Sequence, residues 1–195
     1  MPVAELGAPC PFCEGKGIAN YESVFRLGIF EDPLKQLIHL LKYQRRWAAG
    51  ELLAERLLAQ APIRALIQAA DVLVPVPLHP LRHFTRGYNQ AAIVARVIAR
   101  RHRKPIARPL SRIRHTESQT NLRSRQKRIE NLRGAFHLRS PKAIEGKRIL
   151  VIDDVMTTGA TLQAIARALK PAHPQCLDAL LLAVADPKGR SFEVI

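Results

Sequence analysis

The sequence predicts an α/β domain built on a mostly parallel sheet flanked by helices. Three observations predict it. From residue 72 onward, short β-branched runs alternate with segments of helical periodicity, the order a parallel sheet needs. Two runs, Ile149 to Ile152 and Leu177 to Ala185, are apolar apart from Asp178, as strands covered on both faces are. The chain has 195 residues, 47% hydrophobic and 24% charged. A domain of that size buries roughly 70% of its extended surface and needs no disulfide or metal staple.

The elements follow in order. Residues 1–20 stand apart, with Pro2, Pro9, Pro11, Gly7, Gly15, Gly17 and the pair Cys10 and Cys13, which is turn chemistry. Val24 to Phe30 is expected as a strand. Asp32-Pro33 opens a helix, with Asp as the cap and Pro in the first turn. Leu34, Leu37, Ile38 and Leu41 give that helix one apolar face. A second helix, about Ala48 to Ala61, ends before Pro62. Val72 to Val76 is a buried strand, followed by a loop rich in Arg and His around Pro77 to Pro80. Asn89 to Arg101 is a helix, and a strand lies near Leu110 to Ile113. Arg114 to Ser124 has almost no large apolar residue and is expected as a mobile loop. Arg125 to Leu132 is a short helix stopped at Gly134, and Ala135 to Leu138 a weak strand. Ile149 to Ile152 is the clearest strand, Ala160 to Leu169 a helix ended by Pro171, and Leu177 to Ala185 the last strand.

Charge and composition narrow the function classes. The net charge is +15, and residues 96–148 carry 17 Lys/Arg against Glu117, Glu130 and Glu145. Such a field attracts phosphates on a nucleic acid or a small polyanion, although a charge run also serves simply as a solvated face. The longest apolar run, Ala179 to Ala185, is far short of the ~20 residues a membrane helix needs, so no membrane insertion is expected. The N-terminus has no basic region followed by an apolar core, so a cytoplasmic location is expected. Three cysteines, two of them three residues apart, make no disulfide framework, and Cys176 reads as a buried core residue.

The segment that carries chemistry is Ile149 to Leu162. An apolar strand delivers Asp153 and Asp154 to its carboxyl end, where open parallel sheets bind ligands. Thr157, Thr158, Gly159, Ala160 and Thr161 then lead into a helix. Gly159 lets backbone approach an anion, the helix start offers free N–H groups, and the threonines add hydroxyl donors, which together make a phosphate cradle. The carboxylates would repel phosphate; they suit hydroxyl groups or a cation. Phosphate donors beside hydroxyl acceptors point to a sugar phosphate. A P-loop nucleotidase is excluded, because no G-x-x-x-x-G-K-[ST] loop occurs. A core strand capped by two surface acids is the competing reading, and the attached threonine loop weighs against it.

This segment resembles the phosphoribosyl-pyrophosphate (PRPP) motif of type I phosphoribosyltransferases. Val74-Pro75-Val76-Pro77-Leu78-His79-Pro80, then Arg86-Gly87-Tyr88-Asn89-Gln90, then Thr116, Gln119, Leu122, Arg128, Asn131 and Ala135-Phe136 resemble its ComF/GntX-type branch, which is associated with competence for DNA uptake. The resemblance covers residues 9–186.

The resemblance implies a type I phosphoribosyltransferase-like fold in three parts: a truncated zinc-ribbon-like segment at 1–20, an N-terminal strand and helical hood at 21–70, and the core at 71–190. It implies that Asp153 and Asp154 hold the ribose 2′- and 3′-hydroxyls of PRPP, that Thr157 to Thr161 wrap its 5′-phosphate, and that Mg²⁺ bridges ribose and pyrophosphate. Arg82 and Arg86 correspond in position to the pyrophosphate loop, and Arg114, Gln119 and Arg123 to the flexible lid. For these five, ordinary exposed-loop roles are the alternative. Cys10 and Cys13 are the vestige of a zinc site that needs four ligands. The implied activity is Mg²⁺-dependent transfer of phosphoribosyl to an unnamed nitrogen acceptor with release of pyrophosphate. The alternative is a non-catalytic PRPP-sensing or DNA-handling factor that contacts nucleic acid through residues 96–148. A homo-oligomer is compatible with either.

Overall fold

The computed structural model describes residues 18–114 and 130–185. In chain order these form β1 (Ser23–Ile29), α1 (Leu34–Tyr43), α2 (Trp47–Leu58), α3 (Ala61–Ala69), β2 (Val72–Pro75), α4 (Pro80–Arg86) and α5 (Gln90–His102). Then come β3 (Leu110–Arg112), β4 (Phe136–Leu138), β5 (Arg148–Met156), α6 (Ala160–Leu169) and β6 (Cys176–Val184). Strands β1, β6, β5 and β2, in that spatial order, make a sheet whose neighbours are all parallel. Strands β3 and β4 pair antiparallel beside it.

The apolar runs behave as two-faced strands. Every residue of β6 is buried, as are Ile149 to Ile152 of β5. Side chains alternate across the pleat. Leu150, Ile152, Leu180 and Leu182 pack with Leu41, Leu53, Leu57, Val94 and Ile98 of α1, α2 and α5. Ile149, Val151, Ala179 and Leu181 pack with Leu162, Ile165 and Leu169 of α6 and with Phe136. Residues 21–70 therefore supply both an edge strand of this sheet and much of one core. Asp178, buried in β6, accepts from the Ser23 hydroxyl at 2.5 Å.

Several expectations are corrected. Asp32 does not cap α1: Pro33 takes the N-cap position, and the carbonyls of Glu31 and Pro33 accept from Lys35 and Leu37. Pro62 does more than end a helix. It sits in the first turn of α3, where its fixed φ and missing N–H cost nothing. The expected loop after β2 contains α4, started by Pro80 with the His79 ring accepting from the Leu81 amide at 3.3 Å, and ended by Gly87 at φ +79°. Strand β5 runs four residues past Ile152 because β6 continues to pair with it as far as Val184. Strand β2 stops at Pro75, opposite Ile152, so among the described residues the rest of β5 has no strand paired on that side. Among the described residues no helix is long and apolar enough to cross a membrane.

Candidate functional site

The threonine loop turns directly from β5 into α6. Gly159 has φ +74° at the N-cap of α6, a left-handed conformation that glycine adopts without strain. No side chain caps this helix start. The Thr158 hydroxyl is buried and, among the described residues, has no hydrogen-bond partner, an arrangement that costs free energy. Asp153, Val155, Met156, Thr157, Gly159, Thr161 and Leu162 line a shallow surface depression at this loop. From below, the Tyr21 hydroxyl donates to the Leu162 carbonyl at 3.0 Å and pins the first turn of α6.

The two acids lie on β5 just past Ile152, the last residue that pairs with β2. The Asp154 amide donates to Asp153 Oδ1 at 2.8 Å, and the Val155 amide to Asp154 Oδ1 at 2.6 Å. Each carboxylate thus has one oxygen held by backbone. Lys42, from the last turn of α1, reaches Asp154 Oδ2 at 3.1 Å. Burial, reinforced by the Asp154 charge, pushes the Asp153 carboxyl up to about 7, against the Asp154 amide, Lys42 and Arg112, which pull it down. Burial, then the same Asp153 charge, raises the Tyr21 phenol.

Cations ring this pair. Arg112 of β3 is buried, with its guanidinium 5.6 Å from the Phe136 ring centre. Burial and the Arg82 charge push Arg112 down to about 10, and Asp153 opposes that. Arg82 is lowered by burial and then by Arg86. Arg82 and Arg86 of α4 thus adjoin each other, and the Arg82 charge is felt at Arg112, which in turn is felt at Asp153. Arg86 also stacks over Tyr43 at 5.3 Å. Arg114 is exposed and donates to the Arg133 carbonyl. Gln119, Arg123, Cys10 and Cys13 lie outside the described residues. Cys176 is buried, as expected, and burial followed by Asp178 and Glu22 pushes its thiol up to about 11.

Two residues of this cluster escape a reading of the sequence. Lys42 looks like any polar position of an amphipathic helix. Arg112 did carry a signal, a cation inside a short apolar strand, Leu110 to Ile113. The Arg86 to Gln90 run finds its physical meaning here. Gly87 ends α4, the Tyr88 hydroxyl donates to the Leu41 carbonyl, and Asn89 caps α5 while donating to the Val76 carbonyl at 2.8 Å.

Residues 84–193 match the phosphoribosyl transferase domain. The DNA utilization protein YhgH of Salmonella typhimurium is 34% identical over 176 residues, spanning 87% of this chain and 74% of that protein. Competence protein F of Haemophilus influenzae is 30% identical over 156 residues, 77% of this chain and 68% of that one. The chain belongs to the ComF-type family of phosphoribosyltransferase-like proteins. A solved hypoxanthine phosphoribosyltransferase from Staphylococcus aureus shares 19% identity over 74% of this chain and 70% of its own, with a TM-score of 0.44. The family match and the parallel sheet give a type I phosphoribosyltransferase-like fold, and Asp153 to Thr161 lie at the carboxyl end of β5 and in the loop that follows it.

Proposed function

We propose that this chain binds PRPP at the Asp153–Thr161 site and transfers its phosphoribosyl group to a nitrogen acceptor, releasing pyrophosphate. One observation carries the reading: the buried, unpartnered Thr158 hydroxyl beside the left-handed Gly159 and the uncapped start of α6, directly next to a carboxylate pair. The loop amides and threonine hydroxyls hold the 5′-phosphate. Asp153 and Asp154 accept from the ribose hydroxyls. Arg82 and Arg86 would hold the departing pyrophosphate, since fixed guanidinium groups favour a leaving anion most as its charge develops. The C–O bond at the anomeric carbon breaks as the acceptor nitrogen bonds to that carbon, and the chain acts by positioning and electrostatics.

Mg²⁺ fits the donor set. The acids offer only oxygen, one oxygen of each is held by an amide, and the other of Asp154 faces Lys42. That is too little for an all-protein cage and suits an ion that keeps waters and phosphate oxygens. Asp153 and Asp154, through water, would hold it, and it would neutralise charge on the pyrophosphate.

Titration calorimetry with PRPP and Mg²⁺ tests the site. We expect saturable heat in the wild type and none in Asp154→Ala; equal heats would reject the reading. Pyrophosphate release with a panel of nitrogen bases then tests turnover.

A second reading, a DNA-handling role, is favoured by a different surface. Tyr43, Trp47, Leu81 and Phe84 are exposed, Phe84 at 89%. Residues 33–50 and 77–90, which carry these side chains, contain no acid and supply Arg45, Arg46, Arg82 and Arg86, with Arg86 stacked over Tyr43. Exposed rings among arginines suit single-stranded nucleic acid, with bases stacking and phosphates paired. Within the expected 96–148 stretch, four of the 17 Lys/Arg are otherwise engaged: Arg101 pairs with Glu55, Lys104 donates to Gln68 and Ala70, Arg112 is buried, and Arg148 pairs with Glu22. The names of the relatives, DNA utilization and competence proteins, point the same way. Fluorescence anisotropy with an oligo-dT strand, weakened by salt and by Phe84→Ala, is the expected result. Binding indifferent to both would reject this surface.

A further inference from the structure

Lys42 lies outside the motif, yet its ammonium is 3.1 Å from Asp154 Oδ2 and both side chains are largely buried, at 16% and 17% exposure. Exposed lysine–carboxylate pairs contribute little and need no fixed geometry. This one is held in place. The Tyr88 hydroxyl donates to the Leu41 carbonyl, the amides of Gln44 and Arg46 donate to Leu40, and Arg86 stacks on Tyr43. The residues on either side of Lys42 are therefore anchored, and the ammonium is delivered to the site on a fixed helix end.

The chemistry of a hydroxyl says what such a pair recognises. A hydroxyl donates one hydrogen bond and accepts through its lone pairs. Asp154 alone satisfies the donor half. Its Oδ1 already accepts from the Val155 amide and its Oδ2 lies beside Lys42, so a hydroxyl that donates to Oδ2 also meets the ammonium. The ammonium keeps N–H groups beyond the one it gives Asp154, and these serve the lone pairs of the same hydroxyl.

We infer that Lys42 is a specificity-determining residue of the sugar site, pairing with Asp154 to recognise one ribose hydroxyl as donor and acceptor at once. The inference rests on the sugar-phosphate reading above. A site built this way rejects an analogue lacking the hydroxyl, because its own polar groups are left unpaired.

Calorimetry on the full chain with ribose 5-phosphate, its 2-deoxy and 3-deoxy analogues and inorganic phosphate tests it. The wild type should bind one deoxy analogue about tenfold or more weakly than ribose 5-phosphate. Lys42→Met should lose about tenfold for ribose 5-phosphate while binding that analogue and inorganic phosphate within about twofold of wild type, so that discrimination collapses. Lys42→Arg, which keeps a charge and donors, should retain part of the discrimination and serves if the Met variant does not fold. Equal losses for all four ligands, or none, would overturn the role of Lys42 while leaving the sugar-phosphate reading intact. Wild-type protein that binds phosphate but not ribose 5-phosphate would overturn both.

Discussion

The backbone amide of Asp154 donates to the carboxylate of Asp153 at 2.8 Å, so one acid of the pair orients the other. This contact favours the ionised form of Asp153, and burial opposes it more strongly. The carboxyl is pushed up to about 7 from an ordinary 3.8. The folded chain therefore binds a proton between those values that the unfolded chain has released. Stability from this group is full below about 4 and is lost as pH rises through 7. Asp153→Asn, whose side-chain oxygen can still accept from the Asp154 amide, should raise stability at pH 8 by about 1–2 kcal/mol, discounted for solvent screening, and change little at pH 4. Urea melts at the two pH values check this, and equal shifts at both would contradict it.

The same titration predicts how ligand affinity follows pH. A carboxylic acid that holds its proton is a poorer acceptor for a ribose hydroxyl. PRPP affinity should fall as pH drops below about 7, the value to which Asp153 is pushed. Calorimetry from pH 5.5 to 8.5 reads it directly, and a flat profile would exclude Asp153 as the acceptor.

Gly159 offers a backbone test. At φ +74° a side chain is strained by about 1–2 kcal/mol, and an added Cβ would sit 3.3 Å from Ile18 Cδ1. Gly159→Ala should lower stability by that amount and weaken phosphate binding by about tenfold or more, because the loop amides must shift. The paired measurement is thermal melting with phosphate titration.

The sheet and the site loop were legible because both rest on local pattern. Ile149 to Ile152 and Leu177 to Ala185 read as two-faced strands, and Asp153 to Thr161 as strand, acids and cradle in one unbroken run. What escaped depends on tertiary pairing. Strand β5 outruns its apolar stretch because β6 keeps pairing with it, and nothing in Val155 or Met156 says so. Proline marked the boundary at residue 62 but not that a helix begins there. Helix α4 hid in a segment whose His-Pro start and Gly87 stop were visible, but whose arginines and histidines suggested a loop. Lys42 and Arg112 reach the acids across 112 and 41 residues of chain, and no spacing rule links positions that far apart.

Arg112 provides the most discriminating test of the electrostatics. It is buried between the Phe136 ring and the acid pair, and its charge pulls the Asp153 carboxyl down. Replacing it by Met keeps much of the packing against Phe136 and removes the charge. Asp153 should then titrate higher, so the pH midpoint for PRPP binding should move to the alkaline side of the wild-type value. At pH 8.5 and above, affinity should recover toward wild type if Arg112 acts only through Asp153. A constant deficit at every pH would mean instead that Arg112 touches the ligand itself. An acid shift of the midpoint would contradict the assigned coupling, since removing a cation cannot make a neighbouring carboxyl easier to ionise. Arg112→Lys should lie between the two, because its charge survives but the planar contact with Phe136 is lost.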